Sequence, residues 1–241
     1  MFDLSGKTAL ITGSSQGIGL AAAIALAENG AKVYINGSKE EKVCAALEKV
    51  PGALPAVCDL GRADCGDILY GITGNIDILI SNASIQYRSS WDRITDEEFD
   101  RQLHVNLRAA LKLVQTYAPH MLEQNWGRII TTGSVQQRKP HKDMLIYAAA
   151  KAAQVNMVQN LAKQFAPYGV TVNNIAPGVI ETPRNTAVLT DESYKEKVLA
   201  GIPASFIGGP NDCSGQILLL CSDAGRYITG EDIFIDGGMQ L

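Results

Sequence analysis

Seven short apolar runs rich in β-branched residues recur along the chain: Lys7–Thr12, Ala31–Ile35, Leu54–Cys58, Ile76–Ile80, Arg128–Thr132, Thr171–Ile175 and Ile233–Ile235. Longer segments with helical periodicity separate them. Strands that alternate with helices must return by crossovers, so they pair in parallel, and helices cover both faces of the sheet. The expectation is an α/β, doubly wound parallel sheet of about seven strands. With 46% apolar and 19% charged residues, 241 residues suffice for one core. No linker or low-complexity tract divides the chain, which reads as one domain over 1–241. Regular alternation fails between Val179 and Gly209, and a connection longer than about 15 residues is usually a functional lid.

The acidic and basic residues number 25 and 21, a formal charge of −4. There is no global drive toward nucleic acid or an anionic membrane. No run approaches the length of a membrane span. Met1-Phe2-Asp3-Leu4 carries an acid and no cationic segment, which argues against a secretory leader and for a cytoplasmic protein. The five cysteines, Cys44, Cys58, Cys65, Cys213 and Cys221, include no C-x-x-C pair. They read as buried or inert thiols, with neither a disulfide framework nor a zinc site.

Directly after the first run comes Thr12-Gly13-Ser14-Ser15-Gln16-Gly17-Ile18-Gly19, and a helical segment follows from Leu20 to Glu28. Glycines let a backbone turn sharply and approach a pyrophosphate, whose charge is met by amides at the helix N-terminus. Such a cluster can also be no more than a tight turn, but its place between the first strand and first helix favours a dinucleotide site.

The spacing G-x-x-x-G-x-G resembles the cofactor fingerprint of the short-chain dehydrogenases/reductases. Further matches run in chain order: Asp59-Leu60 after the third strand, Asn82-Ala83 after the fourth, Asn106 in the next helix, Ser134 after the fifth strand, Tyr147 with Lys151, then Pro177-Gly178, Ile180 and Thr182 after the sixth. The resemblance spans essentially the whole chain. It implies a Rossmann-type fold, NAD(P)-dependent interconversion of a secondary alcohol and a ketone, and a catalytic set of Asn106, Ser134, Tyr147 and Lys151. Tyr147 would exchange the proton and Ser134 would hold the substrate oxygen. Lys151 would bind the nicotinamide ribose and lower the tyrosine pKa, while Asn106 would bend its helix and support a proton relay.

Tyr147 and Lys151 also make sense without the family. At i and i+4 they share a helix face, and an ammonium near a phenol favours phenolate. Alone, the pair would more often be an exposed tyrosine and a solvated lysine. Ser134, thirteen positions earlier, stands where ligands of doubly wound sheets bind, although a turn serine also fits. His104 lacks any metal or triad pattern and reads as structural.

At the end of the second strand the family's acidic position falls on Gly37, which leaves no carboxylate to repel a 2′-phosphate. Ser38 and Lys39 offer donors, so NADP is preferred, with NAD the alternative. Ser84 stands where the family usually has glycine and adjusts the nicotinamide pocket. Substrate-facing positions are expected in Ile85–Arg88, in Gln136–Met144 and in the 179–209 segment. Within the second of these, Arg138, Lys139, His141 and Lys142 form either an anion-attracting cluster or a solvated loop.

The leading substrate class is a small polar or acidic molecule such as a sugar acid or polyol. The alternatives are a 3-oxoacyl-acyl-carrier-protein reductase and, from another class, a non-catalytic dinucleotide sensor. The apolar content of Glu97–Leu122 and Tyr147–Phe165, with the tail Ile233–Leu241 at a sheet edge, suggests a homotetramer.

Overall fold

Seven strands form one parallel sheet in the order β3-β2-β1-β4-β5-β6-β7. The computed structural model describes residues 1–241, apart from the side chains of Ala187 and Val188. The strands are β1 (Thr8–Ile11), β2 (Lys32–Gly37), β3 (Leu54–Val57), β4 (Ile78–Ser81), β5 (Gly127–Thr132), β6 (Val170–Pro177) and β7 (Asp232–Ile235). Each falls on an expected run. The helices are α1 (Gly17–Glu28), α2 (Glu40–Leu47), α3 (Cys65–Thr73), α4 (Asp96–Leu103), α5 (Ala109–Glu123), α6 (Leu145–Phe165), α7 (Pro183–Leu189), α8 (Glu192–Ala200) and α9 (Pro210–Cys221).

Alternation along each strand divides the core. Ile11, Ile80 and Ile130 face one buried layer with Ala22, Val43 and Ile217 of α1, α2 and α9. Their neighbours Leu10, Leu79 and Ile129 face the other, with Leu69, Leu113 and Val158 of α3, α5 and α6. Because both faces are covered, the central strands are apolar throughout rather than alternating with polar residues.

The order of the strands reverses between β1 and β4. Connections leaving these two strands diverge there, opening a crevice beyond their carboxyl ends. Gly13, Gly37, Asp59, Asn82, Ser134 and Pro177 all line that crevice.

Three expectations are refined. The helical segment Glu97–Leu122 is carried by α4 and α5, joined through a π-helical stretch, His104–Arg108, that contains Asn106. The 179–209 connection, where regular alternation fails, carries α7 and α8, and its base is tied by a parallel bridge between Ile180 and Gly208. Of the thiols, Cys44 is exposed, and the other four are buried and unpaired.

Candidate active site

The helix α1 begins at Gly17 with no side-chain cap from Gln16, so the first backbone amides remain available to a ligand. The turn above it is packed too closely for side chains. A Cβ on Gly13 would come 2.8 Å from Ala83 Cα, and Gly13 and Gly17 both have left-handed φ values of 61° and 59°. Gly19 lies beneath the turn, where a Cβ would stand 2.6 Å from Asn82 Nδ2. These three positions need glycine for approach and backbone shape.

Asn82 secures the crevice from the other side: its Nδ2 donates to the carbonyls of Thr12 and Gly13, at 2.9 and 3.1 Å. Asn36, which the sequence reading missed, does the same for the neighbouring strands. Its Oδ1 accepts from Gly13 N at 3.2 Å, and its Nδ2 donates to the carbonyls of Ala56 and Cys58 at 2.8 and 3.2 Å. A buried asparagine at the end of an apolar strand was the available signal, since it must find partners.

The resulting cleft, of about 410 Å³, is within the range of small-molecule sites. Ser15, Gln16, Gly17, Ile18, Gly37, Ser38 and Lys39 line it, as do Asp59, Leu60, Asn82, Ala83, Pro177, Gly178, Ile180 and Thr182. Lys42 joins Lys39 at this end and was not anticipated. Ser134 and Tyr147 line the opposite end.

Lys151 and Asn106 stand behind the wall, each only 1% exposed. The Lys151 ammonium lies 5.6 Å from the Tyr147 ring centre and donates to the carbonyl of Thr132 at 2.6 Å. Burial, with the charge of Arg184 adding to it, pulls this ammonium down to about 7. The hydroxyl of Thr132, which also lines the cleft, is buried with no protein partner. Ser134 caps the turn Val135–Gln137 by accepting from Gln136 N at 3.2 Å, so its serine is both turn former and cleft wall.

Asn106 holds the loop after β4. Its Oδ1 accepts from Ile85 N and its Nδ2 donates to Ile85 O, both at 2.9 Å, while Gln102 Oε1 accepts from Tyr87 N at 3.1 Å. The π-helical stretch turns Asn106 toward this loop, and π-bulges are frequent at functional sites.

The basic residues are distributed otherwise than their sequence grouping suggests. Arg138 donates to Gln240 Oε1 at 3.0 Å and Lys139 to the carbonyl of Met239 at 2.7 Å. His141 Nδ1 is 3.8 Å from Asp143. None of Arg138, Lys139, His141 and Lys142 lines the cleft. The cations that line its substrate end are Arg88 and Arg184, the latter on α7.

The glycine turn, the uncapped amides and the cationic adenosine end suit a nicotinamide dinucleotide. A family model described as Enoyl-(Acyl carrier protein) reductase matches residues 13–240. The chain is 35% identical to 3-oxoacyl-[acyl-carrier-protein] reductase FabG of Rickettsia prowazekii over the full length of both. It is 36% identical to glucose 1-dehydrogenase of Gluconobacter oxydans, covering 98% of this chain and 93% of that one. A solved 3-oxoacyl (acyl-carrier-protein) reductase from Agrobacterium tumefaciens with NADP bound superposes with a TM-score of 0.94 at 36% identity, covering 98% and 95% of the two chains. A gluconate 5-dehydrogenase from Burkholderia cenocepacia, in complex with NADP and tartrate, has a TM-score of 0.91 at 33% identity, covering 99% and 96%. Fold, site and full-length similarity agree: the chain belongs to the short-chain dehydrogenase/reductase family and is an NAD(P)-dependent oxidoreductase.

Proposed function

We propose that the protein interconverts a secondary alcohol and a ketone on a small polar or acidic substrate such as a sugar acid or polyol, with NADP(H) preferred. The observation that carries this reading is the placement of Tyr147 and Ser134 on one wall of the cleft whose other end is the glycine turn. When bound, the dinucleotide supplies the hydride acceptor or donor. Gly13 to Gly19 would hold its pyrophosphate, Ser38, Lys39 and Lys42 its 2′-phosphate, and Asn82, Ala83, Pro177, Gly178, Ile180 and Thr182 its nicotinamide half.

Ser134 would then hydrogen-bond the substrate oxygen, and Tyr147 would give or take the proton at that oxygen. Lys151, one turn further along α6, stands beside the tyrosine ring and would hold the nicotinamide ribose when the dinucleotide binds. Asn106 orders the loop that closes this end and supports the proton path. The segment 179–209, with α7 and α8, would act as the lid of a single domain spanning 1–241.

Cofactor preference rests on the lack of a carboxylate at Gly37 and on the two nearby lysines. The NADP named with the Agrobacterium and Burkholderia structures supports it. A small acidic substrate is favoured over a carrier-bound thioester because Arg138 and Lys139 are engaged with the tail rather than free to dock an acidic carrier. Turnover followed by nicotinamide absorbance, with both coenzymes and a panel of sugar acids, polyols and 3-oxoacyl thioesters, tests the whole reading. Preference for NAD, or for carrier-bound thioesters over every free acid, would overturn the corresponding part. Binding of the dinucleotide with no turnover of any alcohol or ketone would leave only a sensor.

We also propose a homotetramer in the cytoplasm. Phe99, Leu111 and Leu145 are exposed on α4, α5 and α6, and β7 is a half-buried edge strand. Light scattering at about four chain masses is expected, and a monodisperse monomer would refute it. Four buried, unpaired thiols suit a reducing compartment.

A further inference from the structure

We infer that Arg184, held in place by Ser84, reads an oxyanion on the substrate, a carboxylate or a phosphate, and thereby determines specificity. The inference rests on the reading of this cleft as an alcohol/ketone site and adds the chemical group that the site selects.

Arg184 lies at the start of α7 and reaches across the cleft mouth to the loop after β4. One guanidinium nitrogen donates to Ser84 Oγ at 2.9 Å and the other to the Ser84 carbonyl. The hydroxyl and the backbone carbonyl of Ser84 thus hold an otherwise flexible side chain by a fork of two bonds, one to each. A guanidinium has five N–H donors in a rigid plane, so several remain for a ligand.

A second arginine reaches back from the same loop to the lid. Arg88 Nη2 donates to Tyr194 Oη at 3.4 Å, and its guanidinium carbon lies 5.9 Å from the centre of that ring on α8. Arg88 and Arg184, with Arg101, also line a side pocket of about 470 Å³ that opens beside the main cleft. Among the described residues no carboxylate lies within 4.0 Å of any of the three guanidiniums, although Arg62, Arg128 and Lys195 all have such partners.

Cations that converge on one end of a cleft, with no carboxylate within 4.0 Å of them among the described residues, create a positive field there. An oxyanion placed between them gains charge-assisted, bidentate hydrogen bonds. The Arg184 charge also reaches the reacting end of the cleft, since it contributes to holding the Lys151 ammonium low. Ser84 touches no reacting atom in this scheme and is a positioning residue. A glycine there would keep the carbonyl arm of the fork and lose the hydroxyl arm.

The test measures kcat and KM with three compounds of equal chain length: an aldonic acid, the corresponding alditol phosphate and the uncharged alditol. Arg184→Met should lower the selectivity for the preferred oxyanion over the alditol by about 10- to 100-fold, mostly through KM. Arg184→Lys should restore part of it, since a charge is regained but not the fork. Ser84→Gly should cost roughly 3- to 10-fold in the same ratio, the share expected of an orienting hydrogen bond. The two charged compounds decide between carboxylate and phosphate. Equal losses for charged and neutral compounds in Arg184→Met would overturn the inference, as would a wild-type preference for the alditol. In both cases the oxidoreductase reading would stand, whereas failure to turn over any secondary alcohol or ketone would sink both.

Discussion

Two groups of basic residues flank the cleft, and they do different work. The group at 138–142 is contiguous in sequence, yet Arg138 and Lys139 are bonded to Gln240 and Met239 of the chain's own tail. The pair Arg88 and Arg184 is separated by almost a hundred residues, yet both line the cleft. The density of charge along a sequence shows neither the direction of a side chain nor whether a partner already satisfies it. A tail that offers a backbone carbonyl and a side-chain amide to a basic loop leaves its charge in place but turns Lys139 and Arg138 toward the tail and off the cleft wall. Arg184, bonded to Ser84, is held instead at the cleft wall with its charge facing the site.

The largest effect expected separates chemistry from charge. Tyr147→Phe should lower kcat by about 10²–10⁴-fold for acidic and neutral substrates alike, with NADP affinity nearly unchanged. Measured by steady-state turnover and coenzyme titration, near-normal kcat would remove Tyr147 from the proton step.

The adenosine end offers a second contrast, because Lys39 and Lys42 line it while Gly37, at the strand end, carries no carboxylate. Gly37→Asp should shift the NADP-over-NAD ratio in kcat/KM by on the order of 10- to 100-fold toward NAD, each factor of ten corresponding to about 1.4 kcal/mol. A Cβ at Gly37 would meet Val43 Cγ2 at 3.0 Å and Ser15 Oγ at 3.3 Å, side-chain atoms that can adjust slightly. Thermal melting of the variant controls for that adjustment. An unchanged ratio would place the 2′-phosphate elsewhere.

The fields of the two basic groups differ at Lys151. Its ammonium is held at about 7 against an ordinary 10.5, by burial first and Arg184 second. The folded protein therefore releases this proton before the unfolded chain does. Between about pH 7 and 10.5 the unfolded chain binds more protons, so this group makes stability rise with pH. Below about 7 both states are protonated and the cost of burying the charge is fully present. Urea unfolding across this range should show the rise in wild type and a flatter profile in Lys151→Met. In Arg184→Met the rise should begin at higher pH, and in Arg138→Ala at the same pH as wild type. A shift in Arg138→Ala equal to that in Arg184→Met would erase the distinction between the two groups.

The smallest expected change is in Arg138→Ala and Lys139→Ala. Both should alter kcat/KM for acids by less than about twofold and stability by less than about 1 kcal/mol, as for exposed polar contacts. A tenfold loss with acids in either variant would return the 138–142 group to the substrate site.

All seven strands were legible because parallel strands buried on both faces leave near-continuous apolar runs. The turn from Gly13 to Gly19 was legible because its glycines serve the backbone itself, whose requirements are local. The bend at His104–Arg108 was expected only through the family resemblance, since it accompanies a pairing of Asn106 with Ile85, 21 residues away. Helical propensity within 97–122 carries no trace of that distant partner. For the same reason α7 and α8 were not read individually within the 179–209 lid, being short and punctuated by Pro183 and Gly201.

By itself, then, the amino-acid order determined the doubly wound sheet and the glycine turn after its first strand. Each depends on periodicity or on contacts within a few residues. The tertiary structure alone decided that Lys151 is buried behind the wall on Thr132, and that Asn36 and Asn82 pin the strand ends. It also decided that Arg184 grips Ser84 while Arg138 and Lys139 turn to the tail. Those outcomes depend on which groups meet across 19 to 102 positions of sequence, and burial and partnership are set only when the chain closes on itself.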